Sequence, residues 1–318
     1  MRLSSMGYRK AAILYNPAAG GGFQNAGRRV EQAAEALRGH VPEVILTPTA
    51  PGRHADVLAR EAVEAGCDLI APCGGDGTIN EALQGVVGSG ATLLPLPGGT
   101  ANVLAWEAGF AIDPVKVAHS LPSLVERNVE VGVAELPNQG VRRYFLLMCG
   151  AGVDANAVYR LNVGLKRRAG IFAYFWSGSQ QLFKKFDRLE VEVDGERLDS
   201  TLAVVSKSRL YGGKLVLTPH AHLLEDRFDL VTFPSSSPLV YTGYLAGVLV
   251  RQLDRFTGVG RRRATSVVFR ETKASKDVYV QVDGELIGRL PAHIHMGPET
   301  VRLLLPEAYV AGYPSTNN

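Results

Sequence analysis

Cysteine is scarce in this sequence, with three residues among 318. Cys67, Cys73 and Cys149 form no C-x-x-C pair, and all three lie in apolar or glycine-rich surroundings. This pattern argues against a disulfide framework and predicts buried thiols in a reducing compartment. We therefore expect a cytoplasmic protein in which Cys73 serves packing rather than chemistry.

A large net charge and long apolar runs are also lacking. The formal net charge is +3, which is too small to indicate a nucleic-acid partner. Near the start, Ala11–Tyr15 is followed at once by Asn16-Pro17, so neither a signal peptide nor a membrane span is predicted. The apolar stretch Leu239–Leu253 is interrupted by polar residues and is shorter than the roughly 20 residues that a span requires, so we expect a packed helix there.

Two familiar nucleotide and metal motifs are missing. Gly212-Gly213-Lys214 is followed by Leu215 where a Walker A motif needs Ser or Thr, which rejects a P-loop NTPase. His220-x-His222 and His293-x-His295 each alternate onto one face of a strand, yet neither pair is accompanied by a carboxylate or a cysteine. A zinc site is therefore not predicted.

What the sequence does contain is a glycine loop between a strand and a helix. Leu69-Ile70-Ala71 predicts a buried strand, Gly74-Gly75-Asp76-Gly77 a tight loop, and Ile79–Val87 an amphipathic helix. This geometry directs backbone N–H groups and a helix dipole to one spot, where glycine lets a phosphate come close. Asp76 would repel a bare phosphate unless a divalent cation lay between them. The loop therefore predicts a nucleotide bound with Mg²⁺.

The same pattern occurs a second time along the chain. Leu93–Pro97 predicts another buried strand, and Gly98-Gly99-Thr100-Ala101-Asn102 opens another helix. Two phosphate-competent loops in one α/β unit arise by chance less often than one. Thr49 lies just past a further predicted strand, where it is either a turn residue or a nucleotide contact.

Strand and helix patterns alternate along the first third of the chain, and β-rich patterns follow Asp113-Pro114. We predict an α/β fold class, with a doubly wound α/β nucleotide-binding domain over residues 8–125 and a second, β-rich, sandwich-like domain over residues 126–318. The sequence leaves open whether the C-terminal strand pairs with the sheet of the first domain. In the second domain we expect helices at Ile171–Phe186 and Leu239–Leu253, and strands at Val129–Val133, Leu189–Val193, Leu202–Val205, Phe228–Phe233, Val267–Phe269, Val278–Val282 and Val301–Leu305.

The segment GGDGTINEAL that starts at Gly74 resembles the diacylglycerol kinase catalytic-domain family, which includes bacterial lipid kinases, sphingosine kinases and ceramide kinases. The resemblance extends from Asn16-Pro17-Ala18-Ala19-Gly20-Gly21 through Pro97–Asn102 to Val282-Asp283-Gly284-Glu285, and so covers nearly the whole chain. It implies an ATP-dependent lipid kinase that uses Mg²⁺ and transfers the γ-phosphate to a lipid hydroxyl. The β-rich half is then the lipid-substrate domain, with its substrate at a membrane surface.

The resemblance also implies the site residues. Asp76 is expected to engage the Mg²⁺ of the nucleotide, and either Asp283 or Glu285 is expected to be the general base. A structural Mg²⁺ is implied at Asp226 with the backbone carbonyls of Leu223 and Phe228, although Arg227 replaces the glycine that is usual there. The implied nucleotide contacts are Asn16, Pro17, Gly20, Thr49, Gly74, Gly75, Asp76, Gly77, Thr78, Ile79, Asn80, Glu81, Gly98, Gly99, Thr100 and Asn102.

Two positions depart from the bacterial diacylglycerol kinases. Val103 and Glu130 stand where those enzymes commonly have aspartates, so the acceptor is left open among diacylglycerol, a sphingoid base or a related lipid. Two alternatives remain, namely a catalytically silent protein that binds nucleotide or lipid, and an NAD-kinase-like kinase with a water-soluble substrate. A homodimer is left open, and no nucleic-acid partner is expected.

Basic triplets occur at Lys166-Arg167-Arg168 and at Arg261-Arg262-Arg263. Such a triplet is usually a solvated surface. Its alternative role is peripheral contact with an anionic inner leaflet, to which each basic residue contributes about 1 kcal/mol.

The tetrapeptide Val-Asp-Gly-Glu occurs at Val193–Glu196 and again at Val282–Glu285. Asp-Gly after an alternating strand predicts a hairpin turn for both copies. Only the second copy is followed by Gly288-Arg289-Leu290-Pro291, which extends the family resemblance.

Overall fold

The computed structural model describes residues 7–17, 26–153, 186–256, 258–273 and 278–313. Gly20, the Lys166–Arg168 triplet and all but the last residue of the predicted helix Ile171–Phe186 lie outside these ranges. The chain divides into two compact units, which we call unit 1 (Met1–Val129 with Glu299–Asn318) and unit 2 (Glu130–Pro298).

Unit 1 alternates strands and helices, as the hydrophobic pattern predicted. Its strands are β1 (Lys10–Tyr15), β2 (Glu43–Pro48), β3 (Leu69–Gly74), β4 (Thr92–Leu93) and β5 (Leu96–Pro97). Its helices are α1 (Ala26–Arg38), α2 (Ala55–Glu64), α3 (Asp76–Val86), α4 (Val103–Ala108) and α5 (Pro114–His119). A short 3₁₀ turn follows at Leu121–Ser123.

The strands of unit 1 form a parallel sheet. Tyr15 at the end of β1 lies opposite Pro48 of β2 and Cys73 of β3, and Gly74 lies opposite Pro97 of β5. Strand β3 is buried along its whole length, because helix pairs α2–α3 and α1–α5 pack on the sheet. The predicted α/β fold class is therefore confirmed, and the loops after β1, β2, β3 and β5 share one edge of the sheet.

Unit 2 is built mainly from antiparallel strands. They are β6 (Leu124–Leu136, which begins in unit 1), β7 (Val141–Phe145), β8 (Met148–Gly152), β9 (Leu189–Val193), β10 (Glu196–Ser200), β11 (Leu202–Ser206), β12 (Leu210–Tyr211), β13 (Leu215–Val216), β14 (Phe228–Phe233), β15 (Gly260–Ala264), β16 (Ser266–Glu271), β17 (Tyr279–Val282) and β18 (Glu285–Arg289). Helix α6 (Pro238–Leu249) confirms the packed helix expected near Leu239. Short 3₁₀ turns lie at Pro137–Gln139 and Leu253–Arg255.

The last strand, β19 (Ala292–Pro306), takes part in both units. Its first part pairs antiparallel with β16, where His295 lies opposite Ser266. Its last part pairs parallel with β4, where Arg302 lies opposite Thr92. Helix α7 (Glu307–Ala311) follows, and its Tyr309 hydroxyl donates to a carboxylate oxygen of Glu107 at 3.1 Å.

Two sheets enclose the core of unit 2. One runs β10-β9-β16 and the start of β19, and the other runs β15-β14-β11-β8-β17-β18. Buried side chains alternate with less buried ones along β9 and β16, so each strand gives one face to the shared core. Phe145 and Phe228 stack within this core, with ring centroids 5.5 Å apart. The predicted β-rich sandwich is confirmed.

All the strands predicted for the second half are present, but several others were missed. Strand β8 is glycine-rich, with Cys149-Gly150-Ala151-Gly152, which weakens the apolar alternation that identifies a strand. Strand β15 contains the Arg261–Arg263 triplet and lies at a sheet edge, where charged side chains discourage further pairing. The triplet was therefore interpreted as a surface cluster instead of a strand.

The three cysteines are free and buried, as their surroundings predicted. Burial raises the pKa of Cys73 to about 12. A thiol with such a pKa is protonated at neutral pH, which supports a packing role for Cys73.

Candidate functional site

The carboxyl ends of the parallel strands in unit 1 bring together most of the residues that the sequence indicated. Asn16 and Pro17 follow β1, and Thr49 follows β2, where its N–H donates to the Tyr15 carbonyl at 2.8 Å. Residues 74–78, which we call loop 1, comprise the end of β3, Gly75 and the first turn of α3, because the helix begins at Asp76 and not at Ile79 as expected. Residues 98–102, which we call loop 2, follow β5. In open α/β sheets this edge is where ligands bind.

Loops 1 and 2 contact each other directly through their backbones. The N–H of Gly98 donates to the carbonyl of Gly74 at 2.8 Å. A Cβ built on Gly99 would lie 2.4 Å from the Cα of Gly75, and one on Gly98 would lie 3.4 Å from the Cα of Gly74. Glycine is therefore required at position 99 because no side chain fits between the loops.

Asn102 closes loop 2 onto itself. Its backbone is left-handed, with φ of 47° and ψ of 48°, a conformation that asparagine tolerates better than most residues. Its amide nitrogen donates to the Gly99 carbonyl at 2.8 Å, and its amide oxygen accepts from the Gly99 N–H at 2.9 Å. The amide that the sequence assigned to nucleotide binding thus also fixes the shape of the loop.

Asp76 links loop 1 to the start of helix α4. Its two carboxylate oxygens accept the N–H groups of Val103 and Leu104, each at 3.0 Å. Burial raises the pKa of Asp76, and the hydrogen bonds from Leu104 and Val103 oppose that shift. Sequence analysis missed this role, since Asp76 and Val103 belong to different motifs.

The surroundings of loop 1 fit the phosphates of a nucleotide. Gly75, which precedes α3, has no side chain to cap the helix, so the N–H groups of the first turn point away from the helix, and the Asp76 carboxylate accepts that of Asp76 itself. Gly75 and Gly99 form a surface of bare backbone next to them. A phosphate at this position would approach backbone donors without meeting a Cβ.

Asp76 is the acidic side chain of loop 1 and therefore its candidate for engaging a nucleotide-bound Mg²⁺. The described part of the chain contains no group of three or more His, Cys, Asp or Glu residues that could hold a metal ion. Mg²⁺ in nucleotide sites is commonly held by one or two carboxylates together with the phosphates. The residues of loop 1 fit that arrangement.

Three predicted nucleotide contacts in α3 have their side chains engaged elsewhere. Ile79 and Asn80 are buried, and the amide nitrogen of Gln84 donates to the Asn80 side-chain oxygen at 3.4 Å. A carboxylate oxygen of Glu81 accepts the N–H of Ala55 at 3.2 Å, at the start of α2. Glu81 thus joins α3 to α2, whereas Ile79 and Asn80 are held within the packed interior of unit 1. Gly77 and Thr78 are half-buried in loop 1, and Thr100 is exposed in loop 2.

Both Val-Asp-Gly-Glu segments form the predicted hairpin turns. Asp194 and Gly195 join β9 to β10 with φ of 51° and 78°, and Asp283 and Gly284 join β17 to β18 with φ of 49° and 85°. Positive φ at both central residues defines the type I′ turn that Asp-Gly favours.

Asp283 differs from Asp194 in its contacts. Asp283 is buried, and its carboxylate accepts the N–H groups of residues 146–148 at 2.9 to 3.1 Å. Its own N–H donates to the Met148 carbonyl at 2.9 Å. These bonds make Asp283 an anchor for the start of β8, and they favour Glu285 over Asp283 as the candidate base. Glu285, which is half-buried, is the remaining candidate of the pair.

The residues of the implied structural metal site do not fit a metal ion. Asp226 is exposed, and one of its carboxylate oxygens pairs with the Arg227 guanidinium at 3.0 Å. Leu223 and Phe228 are buried. The ammonium of Lys207, a residue that sequence analysis missed, donates to the Glu225 carbonyl at 2.6 Å. These contacts argue against the structural Mg²⁺ that the resemblance implied at Asp226.

Lys207 is buried although it is a lysine. Burial lowers its pKa to about 8, while the carboxylates of Glu130, Asp226 and Glu225 oppose that shift. Lys207 is therefore mainly charged at neutral pH. Its position between two serines directly after the apolar strand β11 is the sequence signal that was overlooked.

The Arg261–Arg263 triplet contacts the protein itself. Arg261 donates to the Leu217 carbonyl at 2.8 Å, Arg262 pairs with Glu196 at 2.5 Å, and Arg263 pairs with Glu225 at 2.6 Å. These contacts favour a structural role for the triplet over its alternative role in binding an anionic leaflet.

Comparison with known proteins identifies the class. Residues 10–134 match the model of the diacylglycerol kinase catalytic domain, and residues 148–305 match the YegS C-terminal NAD kinase beta sandwich-like domain. The chain belongs to the diacylglycerol kinase catalytic-domain family, as its motifs indicated. Membership indicates a kinase, and it implies ATP and, with it, a divalent metal.

Individual relatives are distant but align over most of their length. A diacylglycerol kinase of Bacillus subtilis (strain 168) is 27% identical over 302 residues, which cover 91% of this chain and 96% of the relative. A protein of Pseudomonas putida named "Probable lipid kinase YegS-like" is 27% identical over 258 residues, covering 79% and 82%. A crystal structure of a diacylglycerol kinase from Bacillus anthracis str. Sterne superposes with a TM-score of 0.73 at 20% identity, covering 95% and 98%, which shows the shared fold.

The contact between loops 1 and 2 gives a matched pair of substitutions. We expect Gly99→Ala to lower the unfolding temperature and to weaken ATP binding at least tenfold, because its Cβ would force the loops apart. Gly98→Ala adds the same methyl group at a separation of ordinary van der Waals contact, 3.4 Å. It should change the unfolding temperature little. Thermal unfolding without nucleotide checks the pair, and equal midpoints for the two variants would contradict the close approach at Gly99.

Proposed function

We propose that this chain is an ATP-dependent lipid kinase that transfers the γ-phosphate of ATP to the hydroxyl of a lipid. The observation that carries the proposal is the joined pair of glycine loops at the carboxyl edge of the parallel sheet, with Asp76 beside them. Phosphoryl transfer needs a cradle for the phosphates, charge neutralisation and a group that takes the hydroxyl proton. The chain has a candidate for each need.

The residues of unit 1 hold and orient the nucleotide in this proposal. Backbone N–H groups at the start of α3 bind phosphate oxygens, and the glycines of loops 1 and 2 allow the close approach. Asp76 would hold the cation, and the N–H groups of Val103 and Leu104 keep its carboxylate in one position. Mg²⁺ would neutralise the charge that develops on the transferred group.

Glu285 is the group that we propose as the general base. It follows the type I′ turn of Asp283 and Gly284, which is fixed by the bonds of Asp283 to residues 146–148. A carboxylate of this kind takes the proton of the acceptor hydroxyl as the oxygen attacks phosphorus. Asp283 is then a positioning residue.

A lipid acceptor is supported by helix α6 in unit 2. Leu239, Leu249 and Val250 at its two ends are 82%, 60% and 62% exposed, and the helix contains no Asp, Glu, Lys or Arg. Tyr244 on its other face packs against Phe233 and Phe256. Exposed apolar side chains on a packed helix are typical of interaction surfaces.

Basic residues next to α6 fit an anionic lipid surface. Arg251 and Arg255 follow the helix and are exposed, so they place positive charge beside the apolar side chains. An apolar face with neighbouring arginines is the combination that binds the interface of an anionic bilayer. The exposed apolar side chains and these arginines lead us to propose peripheral contact through α6, in place of the Arg261–Arg263 triplet. None of the helices in the described ranges has the length and hydropathy of a membrane span.

A panel of acceptors tests the proposed function. With labelled ATP and Mg²⁺, we expect phosphorylation of at least one lipid among diacylglycerol, sphingoid bases and extracted lipids, and none of NAD. Asp76→Asn, which keeps the shape of the side chain, should lose most of the activity. Phosphorylation of NAD alone would establish the water-soluble substrate instead, and ATP binding without any product would establish the silent protein.

Glu285 can be tested against a control within the chain. We expect Glu285→Gln to lower kcat by roughly 10², with nucleotide affinity and unfolding temperature kept, as loss of a general base would. Glu196→Gln occupies the same place after the other Asp-Gly turn and should leave kcat nearly unchanged. Steady-state rates with the lipid that the panel identifies as the acceptor measure kcat for both variants. A full rate in Glu285→Gln would assign the base elsewhere.

The α6 surface predicts a change in vesicle binding. Replacing Leu239, Leu249 and Val250 by serine should weaken binding to vesicles of anionic phospholipid at least tenfold, because it removes apolar area that enters the interface. Arg262→Gln in the triplet should bind as the unchanged chain does, since Arg262 is paired with Glu196. Sedimentation with vesicles measures both, and equal binding by all three proteins would refute the membrane role of α6.

A further inference from the structure

The segment from Leu223 to Asp229, which we call the acidic segment, carries the carboxylates of Glu225, Asp226 and Asp229. It leads into β14, and its turn is closed by the Glu225 N–H, which donates to the His222 carbonyl at 3.0 Å. Close carboxylates repel one another, so a segment of this composition needs positive charge nearby to be stable. Two arginines and one lysine contact the segment.

Arginines balance the outer carboxylates. Arg227 pairs with Asp226 at 3.0 Å, and Arg263 pairs with Glu225 at 2.6 Å and with Asp229 at 3.4 Å. These side chains are partly exposed, so each pair is weakened by solvent. These arginines do not place positive charge in the interior of the acidic segment, so another group must supply it there.

Lys207 supplies the interior charge. Its residue is 0% exposed, and its ammonium donates to the Glu225 carbonyl at 2.6 Å. Its backbone N–H donates to the Leu147 carbonyl at 2.8 Å, and the neighbouring Ser206 and Ser208 hydroxyls accept or donate hydrogen bonds within the same turn. The backbone of Lys207 is therefore fixed by the start of β8, and its ammonium is held by the acidic segment.

We propose that the Lys207 ammonium is the built-in cation of the acidic segment, so that this part of unit 2 folds without a metal ion. An ammonium is a compact charge that can donate several hydrogen bonds, and a carbonyl oxygen accepts from it much as it would coordinate a cation. With Lys207 inside and Arg227 on Asp226, a divalent ion here would bring positive charge against two cationic side chains. This inference concerns the folding of unit 2 and does not depend on the proposed kinase activity.

Thermal unfolding of the full chain, without nucleotide or lipid and near neutral pH, tests the proposal. We expect the same unfolding temperature in EDTA, in millimolar Mg²⁺ and in millimolar Ca²⁺. We also expect no stoichiometric metal in the purified protein by elemental analysis. An increase in the midpoint with Mg²⁺ or Ca²⁺ that Asp226→Asn abolishes would overturn the proposal, since it would place a metal ion at the acidic segment.

A substitution of Lys207 provides a second test of the proposed cation. Lys207→Met keeps the length of the side chain and removes its charge, which leaves the Glu225 carbonyl and the nearby carboxylates without their interior cation. We expect its midpoint to fall by roughly 10 °C. Lys214→Met, at an exposed lysine of the same unit, should change the midpoint little. Equal midpoints for the two variants would overturn the proposal, and if Lys207→Met does not fold, the metal titration of the unchanged chain still decides.

Discussion

The close backbone contact between loops 1 and 2 is the constraint on which the candidate site depends. Strands β3 and β5 are adjacent and parallel, so the loops that follow them emerge side by side. Gly99 and Gly75 then approach so closely that a single Cβ would intrude. Asp76 spans the same junction by accepting two N–H groups from α4, which orients the start of that helix toward loop 1. The proposed phosphate cradle would bind through backbone groups, and the side chains of Asp76 and Asn102 fix the shape of that backbone.

Charged side chains perform a related task in unit 2, where they bind backbone groups far away in the sequence. Asp283 accepts the N–H groups of residues 146–148, and Leu147 in turn accepts the N–H of Lys207. The ammonium of Lys207 then donates a hydrogen bond to the backbone carbonyl of Glu225. A continuous set of hydrogen bonds thus connects the acidic segment to the turn that precedes Glu285. The turn before Glu285 is thus supported by a hydrogen-bond network that includes the buried charge of Lys207. If Lys207 replaces a metal ion as we propose, the same lysine also helps to position Glu285.

Local patterns predicted much of this structure, and long-range contacts account for what they missed. The glycine loops, the parallel sheet, both Asp-Gly hairpins and the strands of the sandwich follow from hydrophobic period and turn chemistry, which act over a few residues. Asp76 meets Val103, Asp283 meets Leu146, and Lys207 meets Glu225 only after the chain has folded, so no spacing in the sequence reveals these pairs. Strand β15 was missed for a different reason, because arginines on an edge strand lack the apolar alternation that marks a strand. The resemblance implied a catalytic role for Asp283 and a metal role for Asp226, and their hydrogen bonds and exposure argue against both.

The central claim is that phosphates bind the bare backbone where loops 1 and 2 meet. Calorimetric titration of Gly75→Asp with ATP and Mg²⁺ tests this most directly, because the new side chain would bring bulk and negative charge to the place assigned to the phosphates. The account predicts that ATP binding is lost while thermal unfolding shows that the variant remains folded. Normal ATP affinity in folded Gly75→Asp would contradict the claim.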